Sequence, residues 1–475
     1  MSHSNHVKIP DASGRTLEVS PSIFRAYDIR GIVGKDLDQG VAVRIGQAIG
    51  SLMHEKGLNE IVCGRDGRLT GPALMAGLIE GLNSAGINVI DIGLAPSPLT
   101  YFAAYSTGAG SCVSLTGSHN PPDYNGFKIV VGGDTLSGET ITDLYNRISS
   151  NALHVASTPG SVEHRDVSQA YVDRIASDIK LARPLKVVVD AGNGVAGELG
   201  PRVLRAIGAD VNELFCEIDG TFPNHHPDPS EPHNLVDLIA RVASDNADVG
   251  LAFDGDGDRL GVITSDGQNI FPDRLLMLYA DDILSRNPGA MIVYDVKCTG
   301  AMHDWVATRG GEPLMWKTGH SLIKAKMRET NAAMAGEMSG HFFFKERWYG
   351  FDDGIYSAAR TLEILAKSDR SAADVLNSLP NGISTPEIKV DAPEGNPHKF
   401  VERFVDAASF DGARVSTIDG LRVDFPDGWG LVRASNTTPI LVMRFEAETD
   451  AALARIQNDF RKVLLDLDPG LNLGF

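Results

Sequence analysis

Short apolar runs alternate along most of the chain with stretches whose apolar residues recur at helical spacing, and one arrangement occurs three times. The runs EIVCGRDG (60–67), LKVVVDAGNG (185–194) and AMIVYDVKCTG (290–300) each end in a turn that carries Asp with Gly or Lys. A helical stretch follows each of them: ALMAGLIEGLNSAG (73–86), GPRVLRAIGA (200–209) and AMHDWVATRGG (301–311). A second apolar run comes next, INVIDIG (87–93), ADVNELF (209–215) and EPLMWKTG (312–319). Strand, helix and strand within so few residues predict a right-handed crossover in a parallel or mixed sheet. In each copy another strand then ends in an unusual loop: SLTGSHNP (114–121), LAFDGDGDR (251–259) and MAGEMSGH (334–341). Open α/β sheets bind ligands at the carboxyl ends of their strands, so the three loops are expected to converge on one cleft.

Beyond residue 380 the texture changes. The segment GWGLVRASNTTPILVMRFEAETDAALARI (428–456) reads as strand, polar loop, strand and helix. The predicted fold class is therefore α/β, with three similar α/β domains built on mixed sheets and a smaller C-terminal α+β domain around a central cleft. The expected boundaries are 1–165, 166–267, 268–380 and 381–475. Residues 1–20 read as a loose leader, polar and without the apolar centre of a secretory signal.

A chain of 475 residues is too long for one hydrophobic core, which agrees with three or four domains. Its 43% hydrophobic content excludes global disorder. No window reaches the roughly 18 to 20 apolar residues of a membrane helix. The four cysteines, Cys63, Cys112, Cys216 and Cys298, lie far apart, so neither a zinc site nor a disulfide framework is indicated, and cytoplasm is the simplest compartment. A net charge of -19 disfavours nucleic acid or an anionic membrane as a partner. The same charge means that an anionic substrate would need a locally basic cleft or a bound cation.

Such a cation has an obvious place in DGDGDR (254–259), where alternating glycines let Asp254, Asp256 and Asp258 aim at one point. Three carboxylates held together repel one another unless a cation sits among them. An EF-hand also begins D-x-D-x-D, but it needs Gly where Arg259 stands and Glu where Ser265 stands. The plain alternative is a solvated turn, which the preceding apolar LAF opposes by placing the loop at a strand end. Three protein carboxylates leave coordination positions open, which suits Mg²⁺ shared with a phosphate.

In TGSHNP, Ser118 and His119 read alone as a polar turn, with Pro121 and Pro122 ending the strand. A hydrolase triad fits poorly, since no G-x-S-x-G elbow is present. A serine that carries a phosphoryl group fits better, because Mg²⁺ and Lys128 can hold its nearly two negative charges. Asn125-Gly126 reads as a turn that returns Lys128 to the side of Ser118. In GEMSGH (336–341), Glu337, Ser339 and His341 alternate, so an extended segment would present them on one face, where carboxylate and hydroxyl can grip sugar hydroxyls and His341 can exchange protons. RASNTTP (433–439) joins Arg433 to Ser435, Asn436, Thr437 and Thr438, either a phosphate grip or an ordinary polar hairpin. In FRAYDIRG (24–31), Arg30 is the expected inward pointer and Arg25 can equally be a surface charge.

Taken together and in order, FRAYDIRG, GRDGR (64–68), TGSHNPPDYNGFKI (116–129), DGDGDR, DVKC (295–298), KTGH (317–320), GEMSGH and RASNTTP resemble the α-D-phosphohexomutases. The likeness covers nearly the whole chain apart from the leader, and it is nearest the bacterial members that use mannose and glucose phosphates. It implies reversible interconversion of hexose 1-phosphate and hexose 6-phosphate through a phosphoserine enzyme, with hexose 1,6-bisphosphate as intermediate and activator. By the same resemblance Ser118 carries the phosphoryl group, and with it Asp254, Asp256 and Asp258 hold Mg²⁺. Lys128 and His341 match the general acid/base groups, and Arg259 and His119 lie beside the reacting phosphate. Glu337 and Ser339 would read sugar hydroxyls, while Arg433, Ser435, Asn436 and Thr437 would grip the phosphate that is not reacting. Tyr27, Arg30, Lys297 and His320 match further substrate contacts. The implied partners are small phosphosugars, with no nucleic acid or membrane, and the implied state is a monomer. The alternatives are a phosphoglucosamine mutase, whose sugar loop usually has Gln where Met338 stands, a non-catalytic sugar-phosphate-binding protein, and a Mg²⁺-dependent phosphatase.

Overall fold

The threefold pattern of apolar runs folds as three copies of one strand arrangement in a computed structural model that describes residues 7–10, 16–436 and 438–475. The first runs form the strands Glu60–Arg65, Lys186–Asp190 and Met291–Asp295. On one side of each lies its second strand, Asn88–Leu94, Asp210–Leu214 or Glu312–Trp316, and the pairing is parallel every time. On the other side lies the loop-bearing strand, Cys112–Leu115, Val249–Phe253 or Met334–Gly336, again parallel. The helices Gly71–Ser84, Ala196–Ala206 and Met302–Thr308 connect first to second strand. The central strands read as unbroken apolar runs because a parallel sheet is covered on both faces, and Val187, Val188 and Val189 are all fully buried. In the first two copies a reversed strand, Tyr124–Val131 or Leu260–Thr264, pairs antiparallel with the loop-bearing strand and makes the sheet mixed.

The chain forms two compact units, residues 1–271 with 339–376, and residues 272–338 with 377–475. The first holds the first two copies. The second holds the three parallel strands of the third copy and an antiparallel C-terminal sheet in the order Ile383–Ser384, Ile440–Ala447, Gly428–Ala434, Leu421–Phe425 and Arg414–Ser416. Helices Pro397–Ala407 and Asp450–Leu467 cover that sheet, and Phe400, Phe404, Phe445 and Phe460 form much of its core. This is the smaller α+β domain expected from the C-terminal pattern.

The N-terminal segment corrects one expectation. Val7–Pro10 pairs antiparallel with Thr16–Val19, and Leu17 and Val19 are buried, so these residues are not a loose leader. The alternating apolar positions 17 and 19 are a strand signal that the polar surroundings obscured. Among the described residues no helix is long and apolar enough to cross a membrane.

Within the first unit, Asp353 caps the helix Gly354–Lys367 by accepting from the Tyr356 amide at 2.8 Å. The Tyr171 hydroxyl lies 2.9 Å from both its oxygens, and Trp348 Nε1 donates at 3.1 Å. Burial pushes this carboxyl up to about 7 even though the three donors oppose it. A carboxyl raised in the folded state loses stabilising effect as pH climbs from its unfolded value through about 7. Tyr171→Phe removes a donor that serves the ionised form, so it is expected to cost about 1–2 kcal/mol, more at pH 8.5 than at pH 5.5. Urea melts at the two pH values check this, and an equal loss at both would contradict it.

Candidate active site

The serine loop leaves the strand Cys112–Leu115 and turns back at residues 118–123. Asn125 and Gly126, expected to form the turn, instead lie in the strand Tyr124–Val131, paired with Gly31 and Arg30. The prolines at 121 and 122 take the turn earlier, and the alternation from Tyr124 onward already suits a strand. Lys128 is paired with Ser114 in the ladder, and its ammonium reaches the same aspartate loop that the Ser118 hydroxyl touches. Ser118 itself is buried and has a left-handed backbone, φ 49°. Its amide donates to Thr116 Oγ1 at 2.7 Å, and its Oγ lies 3.0 Å from Asp254 Oδ2 and 3.1 Å from His119 Nδ1.

The aspartate loop follows the strand Val249–Phe253. Asp254, Asp256 and Asp258 are fully buried, and one carboxylate oxygen of each lies within 4.8 Å of the others. Gly255 is required there, since a Cβ would overlap the Ser118 carbonyl. Lys128 Nζ donates to Asp256 Oδ2 at 2.7 Å and to Asp258. Burial and its two aspartate neighbours push the Asp254 carboxyl well above the usual range. Burial pushes Asp256 and Asp258 the same way, and Asp258 adds to it at Asp256, but Lys128 outweighs this and both end below the usual range. One ammonium is shared by two carboxylates, helped at Asp258 by His341 and Arg259, and the group of three stays short of positive charge. Ser97 Oγ donates to Asp256 Oδ2, whereas Asp256 Oδ1 is buried and has no hydrogen-bond partner among the described residues. Hard oxygen donors so placed fit a hard divalent cation.

Cationic and imidazole groups surround these carboxylates. The Arg259 amide donates to Asp254 Oδ1 at 3.1 Å, and its Nε donates to His341 Nε2 at 3.3 Å. His341 also places Nε2 3.2 Å from Asp258 Oδ1 and Nδ1 2.9 Å from Ser339 Oγ. Burial and the Arg259 guanidinium hold the His119 imidazole well below its ordinary value. Arg30 reaches inward as expected and donates to the Gly117 carbonyl at 3.1 Å and to the Asn120 side chain. Tyr27 is half-buried just before the strand Ile29–Ile32. GEMSGH does not stay extended: Met338 and Ser339 make a turn, Gly340 has φ 96°, and its carbonyl accepts from the Leu260 amide. Ser339 and His341 therefore bond to each other instead of merely sharing a strand face.

The second unit gathers a separate polar set. Lys297 Nζ is 2.6 Å from Glu387 Oε1. Arg422 donates to the Val296 and Cys298 carbonyls at 2.7 Å, and Arg444 donates to the Lys297 carbonyl. His320 opens the helix His320–Thr330 and is buried. Glu337 Oε1 accepts from the Gly319 amide at 2.6 Å. Asp419 Oδ2 joins two motifs, accepting from Arg433 Nε at 3.1 Å and from the Thr318 amide at 3.0 Å. Ser435 Oγ lies 3.0 Å from Thr438 Oγ1, Asn436 shares their loop, and Thr437 falls outside the described residues.

Several groups at these sites were not singled out from the sequence. Asp66 and Arg68 lie in GRDGR, to which the sequence alone gives no role. Asp228, 3.9 Å from Arg259 Nη1, sits in PNHHPDPSEP (223–232), whose density of turn residues was the available signal. Asp352 offers an oxygen within 4.8 Å of ligand atoms of Asp258 and His341, and only its neighbour Asp353 hints at it in sequence.

Four family models match the chain in succession. They describe phosphoglucomutase/phosphomannomutase alpha/beta/alpha domain I at residues 21–154, domain II at 169–267 and domain III at 271–382, then the C-terminal domain at 387–463. A phosphomannomutase/phosphoglucomutase of Pseudomonas aeruginosa is 56% identical over 454 residues, which span 96% of this chain and 98% of the relative. A phosphoglucomutase of Neisseria gonorrhoeae is 55% identical over 448 residues, 94% of this chain and 97% of the relative. The crystal structure of a phosphoglucomutase/phosphomannomutase family protein from Burkholderia thailandensis superposes with a TM-score of 0.92 at 56% identity, covering 96% of this chain and 100% of that one.

Proposed function

The chain belongs to the phosphoglucomutase/phosphomannomutase family, and from that premise we propose that it interconverts hexose 1-phosphates and hexose 6-phosphates of mannose and glucose through phosphorylated Ser118. The observation that carries the proposal is the Ser118 hydroxyl 3.0 Å from Asp254 Oδ2, with Lys128, Arg259 and His341 gathered around the aspartates. A hydroxyl beside buried acids is a poor place for a neutral catalyst, but it suits a phosphoryl group once positive charge balances it.

In the forward direction the O6 hydroxyl of hexose 1-phosphate attacks phosphorus of phosphoserine 118 in line. The O6–P bond forms as the P–Oγ bond breaks. His341, whose Nε2 accepts from Arg259, takes the O6 proton, and Lys128, kept charged by Asp256 and Asp258, donates to the departing serine oxygen. The hexose 1,6-bisphosphate turns over, the Ser118 Oγ–P bond forms as the O1–P bond breaks, Ser118 returns its proton to Lys128 and His341 gives its proton to O1, leaving hexose 6-phosphate. Arg259 and His119 flank the reacting group. Asp254, Asp256 and Asp258, with the Ser118 phosphate, would hold Mg²⁺. When bound, that ion supplies charge neutralisation for the transferring phosphoryl oxygens. Tyr27, Arg30, Lys297 and His320 contact substrate, Glu337 and Ser339 grip sugar hydroxyls, and Arg433, Ser435, Asn436 and Thr437 hold the idle phosphate.

On this reading residues 1–165 carry the phosphoserine loop, 166–267 the metal loop, 268–380 the sugar loop and 381–475 the phosphate loop. The protein works as a cytoplasmic monomer on small phosphosugars, with hexose 1,6-bisphosphate as activator. Coupled assays on mannose, glucose and glucosamine 1-phosphates with a trace of bisphosphate test it, together with mass spectrometry of the LTGSHNPPDYNGFKI peptide. Turnover of the first two sugars and an added phosphate on Ser118 are expected, whereas release of inorganic phosphate alone would indicate a phosphatase. Arg433→Ala is expected to raise KM about 10- to 100-fold, the worth of a charged hydrogen bond. Unchanged KM and kcat would count against the phosphate grip.

A further inference from the structure

We propose that Arg68, acting with Asp66 and Thr116, is the positioning bracket that sets Ser118 for phosphoryl transfer, an inference that rests on the function just given. Arg68 is 1% exposed, and its guanidinium spends four of its five N–H groups on the serine loop and the fifth on Asp66. Nε donates to Asp66 Oδ2 at 3.1 Å. Nη1 donates to the carbonyls of Pro121 and Tyr124, the latter at 2.9 Å. Nη2 donates to the carbonyls of Ser118 at 2.8 Å and Asn120 at 2.6 Å. Four carbonyls of the serine loop thus converge on one planar cation. Asp66 fastens the other limb, since its Oδ2 accepts from Thr116 Oγ1 at 2.8 Å and from the Gly117 amide at 3.1 Å. Thr116 passes the restraint on, because the same hydroxyl accepts the Ser118 amide at 2.7 Å.

The physical need for such a device is plain. A left-handed backbone at a residue with a side chain costs about 1–2 kcal/mol and persists only when its surroundings enforce it. Buried carbonyls without donors would be worse, and the loop points several inward. An ammonium carries only three donors and no fixed plane, so Lys cannot replace the fork. The fit is close: a Cβ on Gly117 would overlap the guanidinium, and the Phe222 ring centroid lies 5.2 Å from its carbon. Released from the bracket, Ser118 would keep its hydroxyl but lose its fixed approach to Asp254 and His119. Misplacement of about 1 Å can cost on the order of 100-fold in rate. The bracket acts on the transferring oxygen and not on the sugar, so its loss is felt in kcat.

The test is steady-state kinetics of Arg68→Lys and Thr116→Val on glucose 1-phosphate, with thermal melts to correct for the folded fraction. Phosphate incorporation at Ser118 from glucose 1,6-bisphosphate is measured alongside. Arg68→Lys is expected to lower kcat about 100-fold with KM changed less than about threefold, and to slow phosphorylation of Ser118 in parallel. Thr116→Val, which keeps shape and removes one hydroxyl, is expected to lower kcat about tenfold with the same KM pattern. A folded Arg68→Lys protein with wild-type kcat overturns the proposal. If Arg68→Lys does not fold, Thr116→Val decides, and wild-type kcat in that variant overturns it equally. Wild-type protein without mutase turnover would instead sink the functional reading, so the two failures are distinguishable.

Discussion

Ser118→Ala is expected to cut hexose phosphate turnover by about four orders of magnitude or more, the scale on which covalent nucleophiles act, with little change in the melting temperature. The side chain lost is small. Its Oγ accounts for one hydrogen bond to Asp254 at 3.0 Å and a contact to His119, while the Ser118 amide and carbonyl, which anchor the loop, remain. Removing a hydroxyl from beside a carboxyl that burial already holds high costs about 1 kcal/mol at most. Loss of function and loss of fold therefore separate cleanly at this position. The checks are coupled turnover, a thermal melt and the mass of the 115–129 peptide, which should carry no phosphate in the variant. Turnover near wild type would remove Ser118 from the chemistry and leave the arrangement of aspartates without its proposed purpose.

How much of this was legible in the sequence differs by level. The parallel crossover in each of the three sheets followed from apolar runs alone, since a buried parallel strand needs an unbroken run and a crossover needs a helix, and Val187–Val189 with the following helix supply both. The aspartate loop was legible for a chemical reason, because spaced carboxylates after an apolar strand have few uses. Turn placement was less legible: Asn125-Gly126 carries a strong local turn signal, but pairing with Gly31 and Arg30, far earlier in the chain, overrode it. The supports of the site were not legible at all. Arg68, Asp228 and Asp419 look like ordinary surface charges until folding delivers the carbonyls and guanidinium groups they hold, and a one-dimensional pattern has no term for that. The net charge of -19 has its local counterpart at the same level, since Arg30, Lys128 and Arg259 in one unit and Lys297 and Arg433 in the other each face a carboxylate.

Lys128→Met should show that the local charge balance holds the fold as well as the chemistry. In the wild type, Lys128 keeps Asp256 and Asp258 below the usual carboxylate range, so these two groups stabilise the fold at neutral pH and lose that contribution as pH falls through their folded values. Without the ammonium, burial and mutual repulsion raise Asp256, as they already raise Asp254, while Asp258 keeps only the opposing charge of His341 and Arg259. The contribution of Asp256 then reverses sign, being best at low pH and falling as pH rises, and that of Asp258 shrinks. The variant is expected to lose about 3–5 kcal/mol at pH 8, as for one broken partner of a buried ion pair, and distinctly less near pH 4.5. The difference between variant and wild-type urea stabilities, followed from pH 4.5 to 8 in chelator, reads this directly. Adding Mg²⁺ to the variant at pH 8 should recover part of the loss, because the dication replaces the missing charge among the same oxygens. Turnover should fall about 10²- to 10⁴-fold, the usual share of a general acid, even with Mg²⁺ present, since the metal neutralises but cannot donate the proton. A stability difference independent of pH would mean that Lys128 does not govern the ionisation of the aspartates, and full activity with added Mg²⁺ would remove it from proton transfer.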